Sequence, residues 1–114
     1  MLPNTILSLI SLWLLPQLLT AGQFTEVFQE FALDNNYGKT VALADYEDSQ
    51  VVVLAFLGTE CPLAKLYGPR LQALHEKFEE KGVAILGVNS NTQDSMTELS
   101  AYVHRYGIKF TMLK

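Results

Sequence analysis

Cys61 is the single thiol of this 114-residue chain, and its neighbours are arranged as a working sulfur would need them. It follows the apolar run Val51-Val52-Val53-Leu54-Ala55-Phe56-Leu57 and the break Gly58-Thr59-Glu60. It precedes Pro62 and a stretch with helical spacing from Leu63 to Lys81. Strand, tight turn and helix then place the sulfur at a helix N-terminus, where free backbone N–H groups and the helix dipole favour a thiolate. Pro62 supports that placement, because proline is favoured in the first helical turn. The competing reading is a small core residue, a common fate of a free cysteine.

The side chains nearby offer further chemistry. Thr59 brings a hydroxyl that would hydrogen-bond a peroxide or orient the thiolate, or that serves only the turn. Lys65, one helical turn beyond Cys61, is placed either to stabilise a thiolate or to sit in solvent. Glu60 would oppose thiolate formation if aimed at the sulfur, and is expected to face water instead. Arg70 is a weaker candidate, nine residues along the helix. His75 lies fourteen residues past Cys61, about 21 Å along a helix axis at ~1.5 Å per residue. A Cys–His protease dyad through His75 is therefore excluded if that helix holds. His104 reads as a surface residue, and Tyr102 and Tyr106 as packing. The chain has neither a CxxCH haem attachment site nor a Cys/His zinc spacing, so no cofactor or metal is expected.

Several elements must hold this site. Phe24 to Phe31 is a short amphipathic lead-in. Phe31-Ala32-Leu33 and Thr40-Val41-Ala42-Leu43 flank a turn-rich segment and predict a β-hairpin, with a helical turn over Ala44 to Asp48. Val51 to Leu57, apolar throughout, predicts a central strand covered on both faces. Leu63, Leu66, Tyr67, Leu71, Leu74 and Phe78 recur at threes and fours and predict the apolar face of the helix. Pro69 should kink it or loosen a turn. Gly82 fits the residue after its end. Val83 to Val88 is a second strand, and Asn89 to Gln93 a polar loop. Ser95-Met96-Thr97-Glu98 matches a capping box opening a helix through Tyr106, with Met96, Leu99, Tyr102, Val103 and Tyr106 facing inward and Gly107 stopping it. Lys109 to Leu113 begins a third strand. The order predicts an α/β fold with parallel strands, a hairpin followed by β-α-β-α-β. Ligands bind beyond the C-terminal ends of such strands, where Cys61 falls.

The chain divides by composition. Residues 1–22 contain no charged side chain, and Ile6 to Leu15 form an apolar stretch followed by Pro16-Gln17 and Thr20-Ala21-Gly22. They are expected to be a signal peptide, or alternatively a membrane anchor or a core helix. Residues 23–114 form one modest domain that carries all of the net charge of −4. No basic patch is present, which argues against nucleic acid. In an exported chain the odd thiol is either free and reactive or paired with another molecule.

Val51 to Leu74 resembles the active-site segment of thioredoxin-like proteins, nearest the redoxin group that holds the AhpC/TSA class and the exported thiol–disulfide oxidoreductases. Those oxidoreductases carry an aromatic-Trp-Ala-Thr-Trp-Cys-Pro-Pro-Cys-Arg motif followed by a Pro and Leu-x-x-Leu. Here the stretch reads Phe56-Leu57-Gly58-Thr59-Glu60-Cys61-Pro62-Leu63-Ala64-Lys65, with Pro69 and Leu71-Gln72-Ala73-Leu74 in register. The hairpin and Gly82 to Asn89 are similar to that family too. Three departures stand out. Ala64 takes the place of the second cysteine. Thr59 is two residues before Cys61, whereas peroxiredoxins place it three before and add a preceding Pro. No proline follows Pro69, although the family fold continues with a strand after a cis-proline, a last strand and a helix, and the peroxiredoxin arginine would fall beyond residue 114. The resemblance thus implies a thioredoxin-like domain lacking its C-terminal strands and helix.

It also implies a thiol-based oxidoreductase of peroxides or protein disulfides. Cys61 would be the catalytic sulfur, with Thr59 and Lys65 beside it. With Ala64 in place of a resolving sulfur, an external thiol would act as reductant. The working place would be extracytoplasmic, with residues 1–22 as a possible membrane tether. Two readings compete with this one. The first is a non-catalytic thioredoxin-like binding module, and the second is a fragment that does not fold alone.

Overall fold

The computed structural model describes residues 29–114. The leader or anchor expected over 1–22 and most of the lead-in from Phe24 lie outside the described residues.

The hairpin forms from β1 (Ala32–Asp34) and β2 (Thr40–Ala42), paired antiparallel with Leu33 opposite Val41. Asn35 shapes the turn between them, its Oδ1 accepting from the N–H groups of Tyr37 and Lys39, as turn asparagines do. A single 3-10 turn over Leu43–Tyr46 follows. Strands β3 (Val51–Phe56), β4 (Val83–Val88) and β5 (Thr111–Leu113) make a parallel sheet in the order β3-β4-β5. Register runs from Val51 opposite Val83 to Phe56 opposite Val88. The hairpin reaches the far side of this sheet through a bridge between Asn35 and Leu113.

Helix α1 (Pro62–Phe78) joins β3 to β4, and α2 (Met96–Arg105) joins β4 to β5. Both pack on one face of the sheet. There Leu57, Ala64, Ile85, Leu99, Tyr102, Val103, Ile108, Phe110 and Met112 form the larger core. The opposite face holds a smaller cluster of Val41, Leu86 and Leu113 under Phe31, Leu33 and Tyr46. The Ser95–Glu98 capping box is present, Ser95 Oγ accepting from Glu98 N–H and Ser95 N–H donating to the Glu98 carboxylate. Gly82, at φ 77°, takes the left-handed conformation that closes the 3-10 turn Glu79–Lys81 after α1.

Two expectations need correction. The central strand is β4, hydrogen-bonded on both sides; β3 lies at the edge of the sheet among the described residues, with Val51 and Phe56 exposed. An apolar run marks a strand whose side chains meet apolar neighbours and does not say which strand has two partners. The second correction concerns α1. Leu63, Leu66, Tyr67 and Leu74 are exposed, and the buried positions are Ala64, Gly68 and Gln72, with Leu71 partly buried against the core. Small residues win that face because the Tyr102 side chain of α2 and Ile108 fill the space against it. A Cβ at Gly68 would run into Tyr102 Oη and crowd Ile108. The helix also runs through Pro69 as one element. Gly68 has no Cβ to clash with the proline ring, which eases the usual pre-proline crowding.

Gln72 does the work of a strand neighbour. Its Oε1 accepts from the N–H groups of Lys109 (2.6 Å) and Phe110 (3.3 Å), and its Nε2 donates to Glu76. This fastens the approach to β5 onto α1. Gln72→Leu keeps the volume but leaves the buried Phe110 N–H without its acceptor, so it should cost about 2 kcal/mol. Chemical denaturation checks this, with the lost stability appearing as a lower midpoint at unchanged m-value.

Candidate functional site

Edge strand β3 ends at Phe56, and the chain turns at Gly58–Cys61, where the Cys61 N–H reaches the Gly58 carbonyl at 3.3 Å. Cys61 is the N-cap residue of α1, with extended backbone angles and Pro62 in the first turn. Its carbonyl accepts the first helical bond, from the Lys65 N–H at 3.0 Å. The side chain is exposed, and its sulfur caps no backbone group of the helix. An open hollow of about 300 Å³ lies beside it, lined by Phe56, Leu57, Gly58, Leu63, Ala64 and Tyr67. The exposed apolar residues Phe56, Leu63 and Tyr67 thus ring the thiol.

The other two site residues expected from sequence behave differently. Lys65 Nζ is 3.0 Å from Glu60 Oε2, so the ammonium is taken up by the neighbouring carboxylate. The pair is water-exposed and neutralises the charge on both sides of the cysteine. Thr59 is buried, and its Oγ1 has no hydrogen-bond partner. Its N–H donates to Asp94 Oδ2 at 2.8 Å.

Asp94 was not legible as a site residue, yet it organises this end of the sheet. It is 4% exposed. Besides the Thr59 N–H, its carboxylate accepts from Asn89 Nδ2 at 2.7 Å and from Asn91 Nδ2 at 3.0 Å. Asn89 and Asn91 are held in turn, Asn89 Oδ1 accepting from the Asn91 N–H and Asn91 Oδ1 from the Gln93 N–H. The Lys114 ammonium donates to the Asn91 carbonyl at 2.8 Å. The Thr59 N–H above all, then Asn89, lower the Asp94 pKa, and burial opposes them only in part. The Thr59 hydroxyl adds to this through its proximity, without the geometry of a hydrogen bond. A signal did exist in the sequence: a loop dense in Asn and Asp follows β4, at the same sheet end as Cys61.

On the far side of Cys61, Tyr102 Oη donates to the Ala64 carbonyl at 2.6 Å. Burial first, then Tyr106 and Cys61, push the phenol pKa up, so Tyr102 remains a neutral donor. Ala64, which stands where the resemblance puts a second cysteine, is itself buried. His75 sits farther along α1 beside Glu79, and His104 is exposed.

The family model described as AhpC/TSA matches residues 25–114. A thiol-disulfide oxidoreductase ResA from Halalkalibacterium halodurans is 31% identical over 83 residues, covering 73% of this chain and 46% of that protein. A glutathione peroxidase homolog BsaA from the same organism is 31% identical over 91 residues, covering 75% and 57%. Among solved structures, a hypothetical protein from Sinorhizobium meliloti superposes with a TM-score of 0.70 at 27% identity, over 75% of this chain and 50% of that one. A structure described as thiol:disulfide interchange protein DsbE from Chlorobium tepidum gives 0.65 at 25% identity, over 75% and 57%. The fold is thioredoxin-like. The chain spans about half the length of the curated relatives it matches.

The Asp94 network carries a pH dependence. The folded protein binds the Asp94 proton less readily than the unfolded chain, whose carboxyl titrates near 3.8. Its stabilisation is therefore complete above that pH and is lost as the pH falls through the lower folded value. Acid unfolding of the wild type should steepen below pH 3.8. In Asp94→Asn that component should vanish, leaving a shallower profile in the same melting experiment.

Proposed function

This chain belongs to the AhpC/TSA family, and on that premise we propose that it is a thiol-based oxidoreductase working through Cys61 in a one-cysteine cycle. The observation that carries this reading is the exposed Cys61 at the head of α1, with the buried Ala64 one turn on where a second sulfur would have to stand. With peroxide, the thiolate attacks one oxygen, the O–O bond breaks, and the sulfur becomes a sulfenic acid while the departing oxygen takes up a proton. An external thiol condenses with that sulfenic acid and releases water. A second thiol then displaces Cys61 from the mixed disulfide and restores it. With a disulfide substrate, Cys61 attacks one sulfur and expels the other as a thiolate, giving the same mixed disulfide.

The antioxidant direction, with peroxide as oxidant, is the preferred form of the proposal, and the apolar ring of Phe56, Leu63 and Tyr67 would receive the organic part of the substrate. Thr59 acts through the loop it anchors. Lys65 tempers the charge of Glu60 next to the sulfur. We further propose that residues 1–22 serve as a signal peptide or membrane anchor, so that the domain over 23–114 works outside the cytoplasm; the uncharged apolar stretch Ile6 to Leu15 supports this. Ala64 favours one competing reading, a thioredoxin-like binding module without turnover.

Oxidation of Cys61 by hydrogen peroxide in the folded chain, compared with the chain unfolded in urea, separates these readings. A folded rate at least about tenfold above the unfolded one supports an activating site. Cys61→Ser should abolish turnover of peroxide and disulfide alike, and retained turnover would sink the proposal. Ala64→Cys should add dithiol–disulfide exchange to a competent scaffold. A wild type inert to both oxidants leaves the binding module.

A further inference from the structure

We propose that Asp94 is a positioning residue for the Cys61 loop: its carboxylate, braced by Asn89 and Asn91, grips the Thr59 N–H and thereby sets Gly58–Cys61 at the head of α1. The proposal rests on the reading of Cys61 as the working sulfur. Three features carry it. The bond crosses 35 positions of sequence, from the β4–α2 loop to the β3–α1 turn, and both of its partners are buried. The carboxylate is held from three directions, by a backbone N–H and two side-chain amides. Gly58 lies between the two groups, since a Cβ built there would stand 3.8 Å from Cys61 Cβ and 4.0 Å from Asp94 Oδ2. The carboxylate and the cysteine thus flank one backbone position. The charged groups near Asp94 are Lys114 and Glu98.

Between its two ends, the turn has little else to fix it. Its own bond, Cys61 N–H to the Gly58 carbonyl, is long at 3.3 Å, and the Thr59 hydroxyl is unpartnered. Without the carboxylate the Thr59 N–H would be left in a buried position with no acceptor, and the turn would relax to find one. Displacing a reacting atom by about 1 Å can cost a hundredfold in rate, so the anchor at Thr59 bears on the reactivity of the sulfur that the turn carries.

The test uses the full chain as wild type, Asp94→Asn and Asp94→Ala. Two quantities are measured: amide hydrogen exchange residue by residue, and the rate of Cys61 with hydrogen peroxide. Asparagine keeps an oxygen that can accept the Thr59 N–H but turns an amide towards Asn89, so it should rescue in part. In Asp94→Ala, exchange at Thr59 should rise about tenfold or more while β4 and α2 keep their protection. The Cys61 rate should fall about tenfold, with Asp94→Asn in between. Three results would overturn the proposal: wild-type protection at Thr59 in Asp94→Ala, an unchanged Cys61 rate despite a freed Thr59 amide, or loss of protection throughout the sheet. If wild-type Cys61 is no faster than the unfolded thiol, the oxidoreductase reading fails separately. The loop anchor is then judged on exchange at residues 58–61 alone, an opened turn supporting it and a protected one overturning it.

Discussion

The parallel pairing of β3 with β4 is the constraint on which the rest depends. Six residues of each strand are matched, and the pairing ends with Phe56 opposite Val88. Parallel strands that stop at the same level deliver their following loops side by side. One of those loops holds Thr59 and Cys61, and the other Asn89 and Asp94. The Leu57 N–H still reaches the Val88 carbonyl at 3.0 Å, and the next contact across the same seam is the Thr59 N–H to Asp94. A side-chain carboxylate thus prolongs a backbone ladder one step beyond the sheet. A slip of one residue in the register would part the two loops and turn every side chain of β3 to the opposite face.

Helix α1 meets a different demand. It must admit the Tyr102 side chain that α2 lays against it, and that selects Ala64 and Gly68 over leucine. Large apolar residues at helical spacing, Leu63, Leu66, Tyr67 and Leu74, therefore mark the face away from the core. The hydrophobic pattern located the helix correctly and its orientation wrongly, because periodicity reports that a stripe exists and not which stripe has the nearer neighbour. Polar Gln72 on the inner face was illegible for the same reason: its partners, Lys109 and Phe110, are backbone groups far along the chain.

More of the site could be read than of its supports. Cys61 at a helix start follows from Pro62 and the preceding turn, and the capping box of α2 follows from Ser95 and Glu98 alone. Both signals are local, involving residues within one turn of each other. Asp94 acts on Thr59 across the fold, and the Asn- and Asp-dense loop that holds it marks the place without naming that partner. The pairing of Lys65 with Glu60 was equally open, since either side chain has the length to turn towards water.

Thr59 and Ala64, on the two sides of Cys61, are both fastened to one short stretch of chain, Thr59 by Asp94 and Ala64 by Tyr102. The sulfur rides on a span whose two piers stand on the same foundation. Because one stretch of chain holds both neighbours of the sulfur, a displacement of that stretch reaches Cys61 from both sides at once.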